Sequence, residues 1–487
     1  MYMHFRAIAF VIGTLLLVTS IAMLFPIVVS LIYQEGDLSA LLISVTVVFS
    51  VGFPLWWFRP SHYELSFRDA VLIAVLGWVI ISAVSTLPFI IHGSIPSFTD
   101  AFFEMVSGYT TTGATILNDI ESIPHGLLFF RSETQLLGGM GFLTLTLIFL
   151  PHGMAGVRIF RAESSPGQVI TKEKFIPRNR DAMIWLWSIY LGLNLVQTLL
   201  LWGGGMSLFD SLCHSFTTVA TAGFSTKNDS IGYYSSAYFD WVIIIFMFLG
   251  GMTFMLFYYI LKGEWNLVRL NTELRCYSSI VLFFCCILTL ILWLNGSYGG
   301  FSEAIRYASF QIISLLTTTG FTTADYELWP QAAQMILYIV CFIGACAGST
   351  TSGIKIVHFV IIWKYMVTSV KKMFFQPRTI LPIHLNQRAI DPFAINLSIC
   401  YFIANIFLLF VGGAVMVLVD SIDYQTAMSS VISALMNIGP GFGEVGPSEN
   451  FSQISSLGKW FLTLLMLVGR LEMFSALVLF FPSFWKR

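Results

Sequence analysis

The chain has 487 residues, 56% of them hydrophobic and only 10% charged, with 25 basic side chains against 26 acidic ones. An average soluble domain carries about 25% charged residues, so this composition excludes a fold solvated by water over its whole surface. The net charge of -1 says nothing by itself about a charged partner; no nucleic-acid partner is expected, and the positions of the charges carry the information.

Ten apolar segments are long enough to cross a ~30 Å hydrocarbon layer as helices. They lie near residues 7–33, 39–58, 70–92, 125–151, 183–203, 238–262, 277–295, 333–368, 393–419 and 456–484. The first is too long for a signal-peptide core and no small-residue cleavage site follows it, so it reads as a retained helix. Between the third and fourth, fifth and sixth, seventh and eighth, and ninth and tenth segments lie weaker amphipathic stretches rich in Thr, Ser and Gly. Each is too short to cross and reads as a half-helix plus a loop. The seven cysteines fall almost entirely in apolar stretches, Cys213 in a short helix, with no CxxC spacing. They read as core residues, not as a disulfide or metal framework.

If Arg6 faces the cytoplasm and all ten segments span, all but five of the 25 basic residues fall on the cytoplasmic side, the exceptions being Arg131, Lys227, Arg306, Lys459 and Arg470. The positive-inside rule then places both termini in the cytoplasm and brings the four weak stretches in from outside.

Those four stretches are copies of one pattern. TTTGAT at 110–115, ATAGFS at 220–225, TTTGFT at 317–322 and MNIGPG at 436–441 align on Gly113, Gly223, Gly320 and Gly439. Twelve residues before each glycine stands a small residue, Ala101, Ser211, Ala308 or Ala427, and Asp100 and Asp210 precede two of them, as expected at helix N-termini. Downstream, LGGM occurs at 137–140 and again at 249–252, with IGAC at 343–346 and VGRL at 468–471 in the corresponding places. The resulting glycines Gly138, Gly250, Gly344 and Gly469 follow the loop glycines by 25, 27, 24 and 30 residues. The expected fold is therefore an all-α integral membrane protein: four pseudo-repeated units of span, pore helix, filter loop and span around one pore, plus two extra N-terminal spans. The divisions are 1–60 for the N-terminal helices, 61–155, 156–265, 266–370 and 371–487 for the pore repeats.

A dehydrated cation needs oxygens in place of its water, and a ring of backbone carbonyls from four inward loops supplies them. Glycine permits the backbone angles that aim successive carbonyls at one axis, and threonine hydroxyls add oxygens at the inner end. Irregular backbone at this depth is tolerated where it lines a water-filled cavity. The competing reading of the same glycines is close helix packing with no pore.

These loops, the LGGM elements and the run GACAGSTTSG at 344–353 resemble the TrkH/TrkG/KtrB superfamily of bacterial potassium translocation subunits over essentially the whole chain, and the two extra N-terminal spans are most similar to its TrkH branch. The resemblance implies a multi-pass protein of the bacterial inner membrane, a homodimer surrounded by lipid, and a cytoplasmic nucleotide-binding ring of the TrkA type. It implies no resident cofactor: K+ is the transported ion, and any nucleotide sits on the partner. Carried over by position, the ion is held by Thr111 and Thr112, by Ala220, Thr221 and Ala222, by Thr318 and Thr319, and by Asn437 and Ile438, with Gly113, Gly223, Gly320 and Gly439 completing the ring. The fourth loop, with Asn437, Ile438 and Pro440, puts strict fourfold equivalence in doubt.

The run 344–353, including Gly344, Gly348 and Gly353, is a poor continuous helix. It reads either as close packing by small residues or, as the resemblance implies, as an unwound gating loop beneath the filter, with Lys355 directly after it holding the loop or marking the interface. Arg470 lies mid-span, where an unpaired charge costs ~2.5 kcal/mol or more. The resemblance implies a barrier under the filter, and a structural pairing with Glu472, Glu104 or Glu133 is the alternative. Glu133 and Glu444 read as outer-mouth attraction for cations or as interface positions. The basic segments 155–181 and 369–391 read as docking sites for a soluble partner or as topogenic charge alone. Coupled symport with protons or sodium is the alternative function; it needs a titratable group in the path, and His214 is the nearest candidate, more simply read as structural. HExxH, GxSxG and a Walker P-loop are absent, so no enzyme is expected.

Overall fold

The computed structural model describes residues 4–58, 65–141, 179–375, 381–386, 388–471 and 473–485. The predicted fourth span beyond residue 141, most of the segment 155–181 and Glu472 lie outside the described residues.

Among the described residues, six helices are long and apolar enough to cross a membrane: Phe5–Tyr33, Leu38–Trp57, Arg68–His92, Met183–Gly203, Thr272–Leu294 and Pro392–Asp420. They coincide with the first, second, third, fifth, seventh and ninth predicted segments. Large apolar side chains on them stay exposed, such as Leu195, Leu199, Leu282, Phe283, Ile403 and Phe407. Uninterrupted exposed Leu, Ile and Phe are unstable in water and suited to lipid.

The second span of each unit is not the continuous helix predicted for 125–151, 238–262 and 456–484. In unit one the helix is His125–Gly139. In unit two Ala237–Gly250 is followed by Phe254–Leu261 at a 96° bend. In unit three Gln331–Val340 and Ile356–Lys372 are separated by irregular backbone, as the small-residue run suggested. In unit four Ser456–Arg470 gives way to the short helix Phe474–Leu477.

Three of these breaks follow from the repeated glycines. A Cβ on Gly138 would stand 2.0 Å from the Tyr109 carbonyl oxygen, one on Gly469 2.1 Å from that of Leu435, and one on Gly250 3.2 Å from that of Val219. These three second helices thus run against the ends of pore helices, so close at Gly138 and Gly469 that only a glycine fits and tightly at Gly250, and glycine is also a poor helix former. Gly344 differs: its neighbour is the carbonyl of Ser352, 2.5 Å from a Cβ, in the loop that returns past it.

The four weak stretches are pore helices, Phe98–Tyr109, Leu208–Val219, Phe301–Leu316 and Tyr424–Met436. Ser97 and Ser207 accept from the N–H groups of Asp100 and Asp210 at 3.4 and 3.0 Å, and Asp423 accepts from Gln425 and Thr426 at 2.9 and 3.2 Å. Such caps satisfy backbone donors that the first helical turn leaves open. Ala101, Ser211, Ala308 and Ala427 are fully buried, which explains why each is small.

Neighbouring units interlock. The second pore helix packs on His125–Gly139, the third on Ala237–Gly250 and the first on Ser456–Arg470. Ion pairs reinforce two of these joints: Arg306 to Asp240 at 2.8 Å and Lys459 to Asp100 at 2.6 Å. The last closes the fourth unit onto the first. A two-stranded hairpin, His384–Leu385 with Arg388–Ala389, lies in the predicted cytoplasmic segment 369–391.

Candidate ion-conduction site

The four loops share one backbone conformation. Two residues before each glycine, Thr111, Thr221, Thr318 and Asn437 have φ of 54, 53, 54 and 55°, in the left-handed region that non-glycine residues seldom occupy. Gly113, Gly223 and Gly320 follow at 82, 83 and 80°, and Gly439 at 103°. Asn437 thus shares the left-handed backbone of the threonines at this place in the other loops; asparagine tolerates that region better than most residues. Among these φ values the largest departure is at Gly439.

The loops also close on one another. A Cβ on Gly113 would stand 2.3 Å from the Ala222 oxygen, on Gly223 2.0 Å from that of Thr319, on Gly320 2.0 Å from that of Ile438, and on Gly439 2.8 Å from that of Thr112. Each glycine thus meets the carbonyl of the next loop, and the fourth meets the first. Four carbonyls in cyclic order are what a dehydrated cation requires, and the pore helices end at these loops, aiming the negative ends of their dipoles there. Ala220 ends the second pore helix, and its carbonyl accepts the Thr221 hydroxyl at 2.7 Å. Thr110, Thr317 and Met436 hold the same place in the other loops.

On one side of the ring is an open recess lined by Gly113, Gly223, Gly320 and Gly439 together with Arg131, Lys227 and Glu449. Arg131 is almost fully buried; it donates to Glu104 Oε1 at 2.7 Å and to the Ser225 carbonyl at 2.9 Å, and its guanidinium lies 3.5 Å from the Phe224 ring centroid. Glu104 in turn accepts from Thr115 Oγ1 and the Ile116 amide, both at 2.9 Å. This buried pair braces the outer halves of the first two loops. Glu104 is thus engaged by Arg131 and not by Arg470, as one alternative had it. Glu444 is exposed outside the recess, Glu449 lining it instead, and Glu133 is buried. His214 bonds the Asp210 carbonyl at 2.8 Å and Ser225 Oγ at 2.9 Å, the structural role favoured for it.

The irregular segment of unit three attaches to the ring from the other side. Thr350 and Thr221 hydroxyls are 3.2 Å apart, the Ser352 amide donates to Thr318 Oγ1 at 3.0 Å, and Thr350 Oγ1 donates to the Val219 carbonyl at 3.0 Å. Further ties run from the Phe254 amide to the Gly348 carbonyl at 2.9 Å and from the Ala347 amide to Glu273 Oε1 at 2.5 Å. Gly348 and Gly353 turn the chain at φ of 73 and 74°. Lys355 is buried and donates to the Thr351 carbonyl and, at 3.1 Å, to its hydroxyl, so it holds the loop's own backbone.

Arg470 meets this loop. Its guanidinium donates to the Thr350 carbonyl at 3.1 Å, to Ser352 Oγ at 3.2 Å, to the Gly139 carbonyl at 2.9 Å and to the Gly138 carbonyl. One side chain from the fourth unit therefore joins the loop of the third to the broken helix end of the first. Gly344, Gly348, Gly353, Lys355 and Arg470, far apart in sequence, form one assembly with Thr221 and Thr318. The brace of Glu104 and Arg131 was not legible as such, because the pairing partner sits on another helix; two unlike charges at non-lipid positions of one unit were its only trace.

The comparisons with known proteins agree with this architecture. Residues 38–487 match the family model TrkH, described as a cation transport protein. The Trk system potassium uptake protein TrkH of Escherichia coli K12 is 38% identical over 99% of this chain and 100% of its own length. The Trk system potassium uptake protein TrkG of the same strain is 32% identical over 99% of both chains. The crystal structure of the potassium transporter TrkH from Vibrio parahaemolyticus superposes with a TM-score of 0.89 at 32% identity, covering 99% of this chain and 100% of that one. The chain belongs to the TrkH family of cation transport proteins.

Proposed function

We propose that this chain is the pore-forming, channel-like subunit through which a bacterial Trk system takes up potassium across the inner membrane. The observation that carries the reading is the cyclic contact of four filter glycines with the carbonyls of Thr112, Ala222, Thr319 and Ile438. The names of its relatives point to the same ion. In this reading K+ sheds its water at the outer recess and is held by carbonyls of Thr111, Thr112, Thr221, Ala222, Thr318, Thr319, Asn437 and Ile438, with the ends of the pore helices contributing negative potential. No acid or histidine lies between the first residue and the glycine of any filter loop, which favours channel-like flux over proton-coupled symport.

The loop 344–353 and Arg470 act as the gate. With the loop in place, Thr221 and Thr318 hydroxyls are occupied and a fixed positive charge lies next to it. Two copies of the chain pair in the membrane with both termini cytoplasmic, and a TrkA-type nucleotide-binding ring on that side moves the loop. The test is K+ or Rb+ flux into proteoliposomes at fixed pH and sodium. Flux that follows the potassium gradient alone supports the reading, and flux that needs a proton or sodium gradient refutes it. Gly320→Ala, which puts a Cβ 2.0 Å from the Ile438 oxygen, abolishes that flux.

A further inference from the structure

The filter loops are not all braced alike. In the first and third, the hydroxyls flanking the left-handed residue bond each other: Thr110 to Thr112 and Thr317 to Thr319, both at 2.8 Å. In the fourth, Asn437 Nδ2 donates to Thr112 Oγ1 at 2.8 Å and to the Met466 carbonyl at 3.0 Å. The second loop has alanines, Ala220 and Ala222, where the hydroxyls would be.

Gln135 takes over that brace. It is fully buried on the second-span helix of unit one. Its Nε2 donates to the Ala222 carbonyl at 2.8 Å, and its Oε1 accepts the Phe224 amide at 3.0 Å. One side-chain amide from the neighbouring unit therefore straddles Gly223. Arg131, one helical turn earlier, grips Phe224 and Ser225 from the same face. Three residues before the repeated glycine, the other units carry Met247, Cys341 and Met466, none of which offers an amide.

The bond has a consequence beyond support. Ala222 supplies one of the four ring carbonyls, and among the described residues it alone receives a side-chain donor. An N–H on a carbonyl occupies one of its lone pairs, sets a partial positive charge against an approaching cation and fixes the carbonyl's direction. Coulomb energy falls as 1/r, so a smaller ion gains more from a stronger oxygen, and selectivity depends on the field strength and geometry of the coordinating dipoles. We propose that Gln135 is a specificity-determining positioning residue, which weakens and orients the Ala222 carbonyl so that the ring favours K+ over Na+. This rests on the conduction reading above.

The experiment measures the K+/Na+ permeability ratio in proteoliposomes for the wild-type chain, Gln135→Met and Gln135→Asn. Methionine matches the glutamine in length but loses both bonds, while asparagine withdraws the amide by one carbon so that it no longer bridges 222 and 224. The ratio falls about fivefold in both, the change expected for a lost hydrogen bond of ordinary strength, while K+ flux persists. A wild-type ratio in either conducting variant overturns the assignment. Absence of folded protein in both makes Gln135 purely structural and overturns it as well; if only one folds, that variant decides. Absence of K+ flux in the wild-type chain refutes the conduction reading instead, so the two failures are distinct.

Discussion

Arg470→Ala removes the tie between the loop of unit three, the helix end of unit one and the span of unit four. Among the described residues four donated bonds go at once, to Thr350, Ser352, Gly138 and Gly139. Hydrogen bonds to a charged group are worth ~1.5–3 kcal/mol each, but neighbouring ones do not add. The loop is loosened by about 3 kcal/mol, equivalent to roughly a hundredfold rise in the population with the loop displaced. Loss of the positive charge acts in the same direction, since it no longer repels a cation below the ring. The assay is Rb+ efflux from proteoliposomes holding the chain alone, with basal flux expected to rise. Arg470→Lys separates the two contributions, because lysine keeps the charge but not the planar fork that reaches several acceptors. A lysine variant as leaky as alanine assigns the barrier to geometry, and one as tight as wild type assigns it to charge. Flux in Arg470→Ala at or below wild type, with unchanged melting temperature, refutes the gate.

Three further outcomes are expected. Thr318→Val removes the acceptor of the Ser352 amide, and basal flux rises by about fivefold, as for one ordinary hydrogen bond; unchanged flux would detach the loop from the filter. Glu104→Gln leaves Arg131 buried without its counter-charge, a change that typically costs 3–5 kcal/mol, read as a drop in the melting temperature of the purified protein. Asp423 lies between a span and the fourth pore helix, and the Thr426 hydroxyl holds its carboxyl below the ordinary value. Its stabilisation is present above the unfolded pKa of about 3.9 and is lost as pH falls through the lower folded value. Asp423→Asn therefore lowers the melting temperature at pH 6, and the difference from wild type vanishes in strong acid.

The sequence alone determined the membrane class, the fourfold repeat and the four loops with positive φ, because each rests on a local property. Apolar run length specifies a span, and the four aligned glycines mark positions where the backbone needs positive φ. Even the capped starts of the first two pore helices were visible in Asp100 and Asp210. Tertiary structure alone decided the cyclic order of the loops, the breaks at Gly138, Gly250 and Gly469, and the partners of the buried charges. A glycine in an apolar run reads equally as helix packing or as a break until the carbonyl it must clear is known, and that carbonyl belongs to a pore helix about 30 residues away in sequence. Arg470 and Glu104 were both recognised as costly in lipid, yet which acceptors receive them depends on helices that meet only in three dimensions. The same holds for Gln135: on its own helix it is one polar residue among many, and its function arises from the Ala222 carbonyl, 87 positions further along the chain.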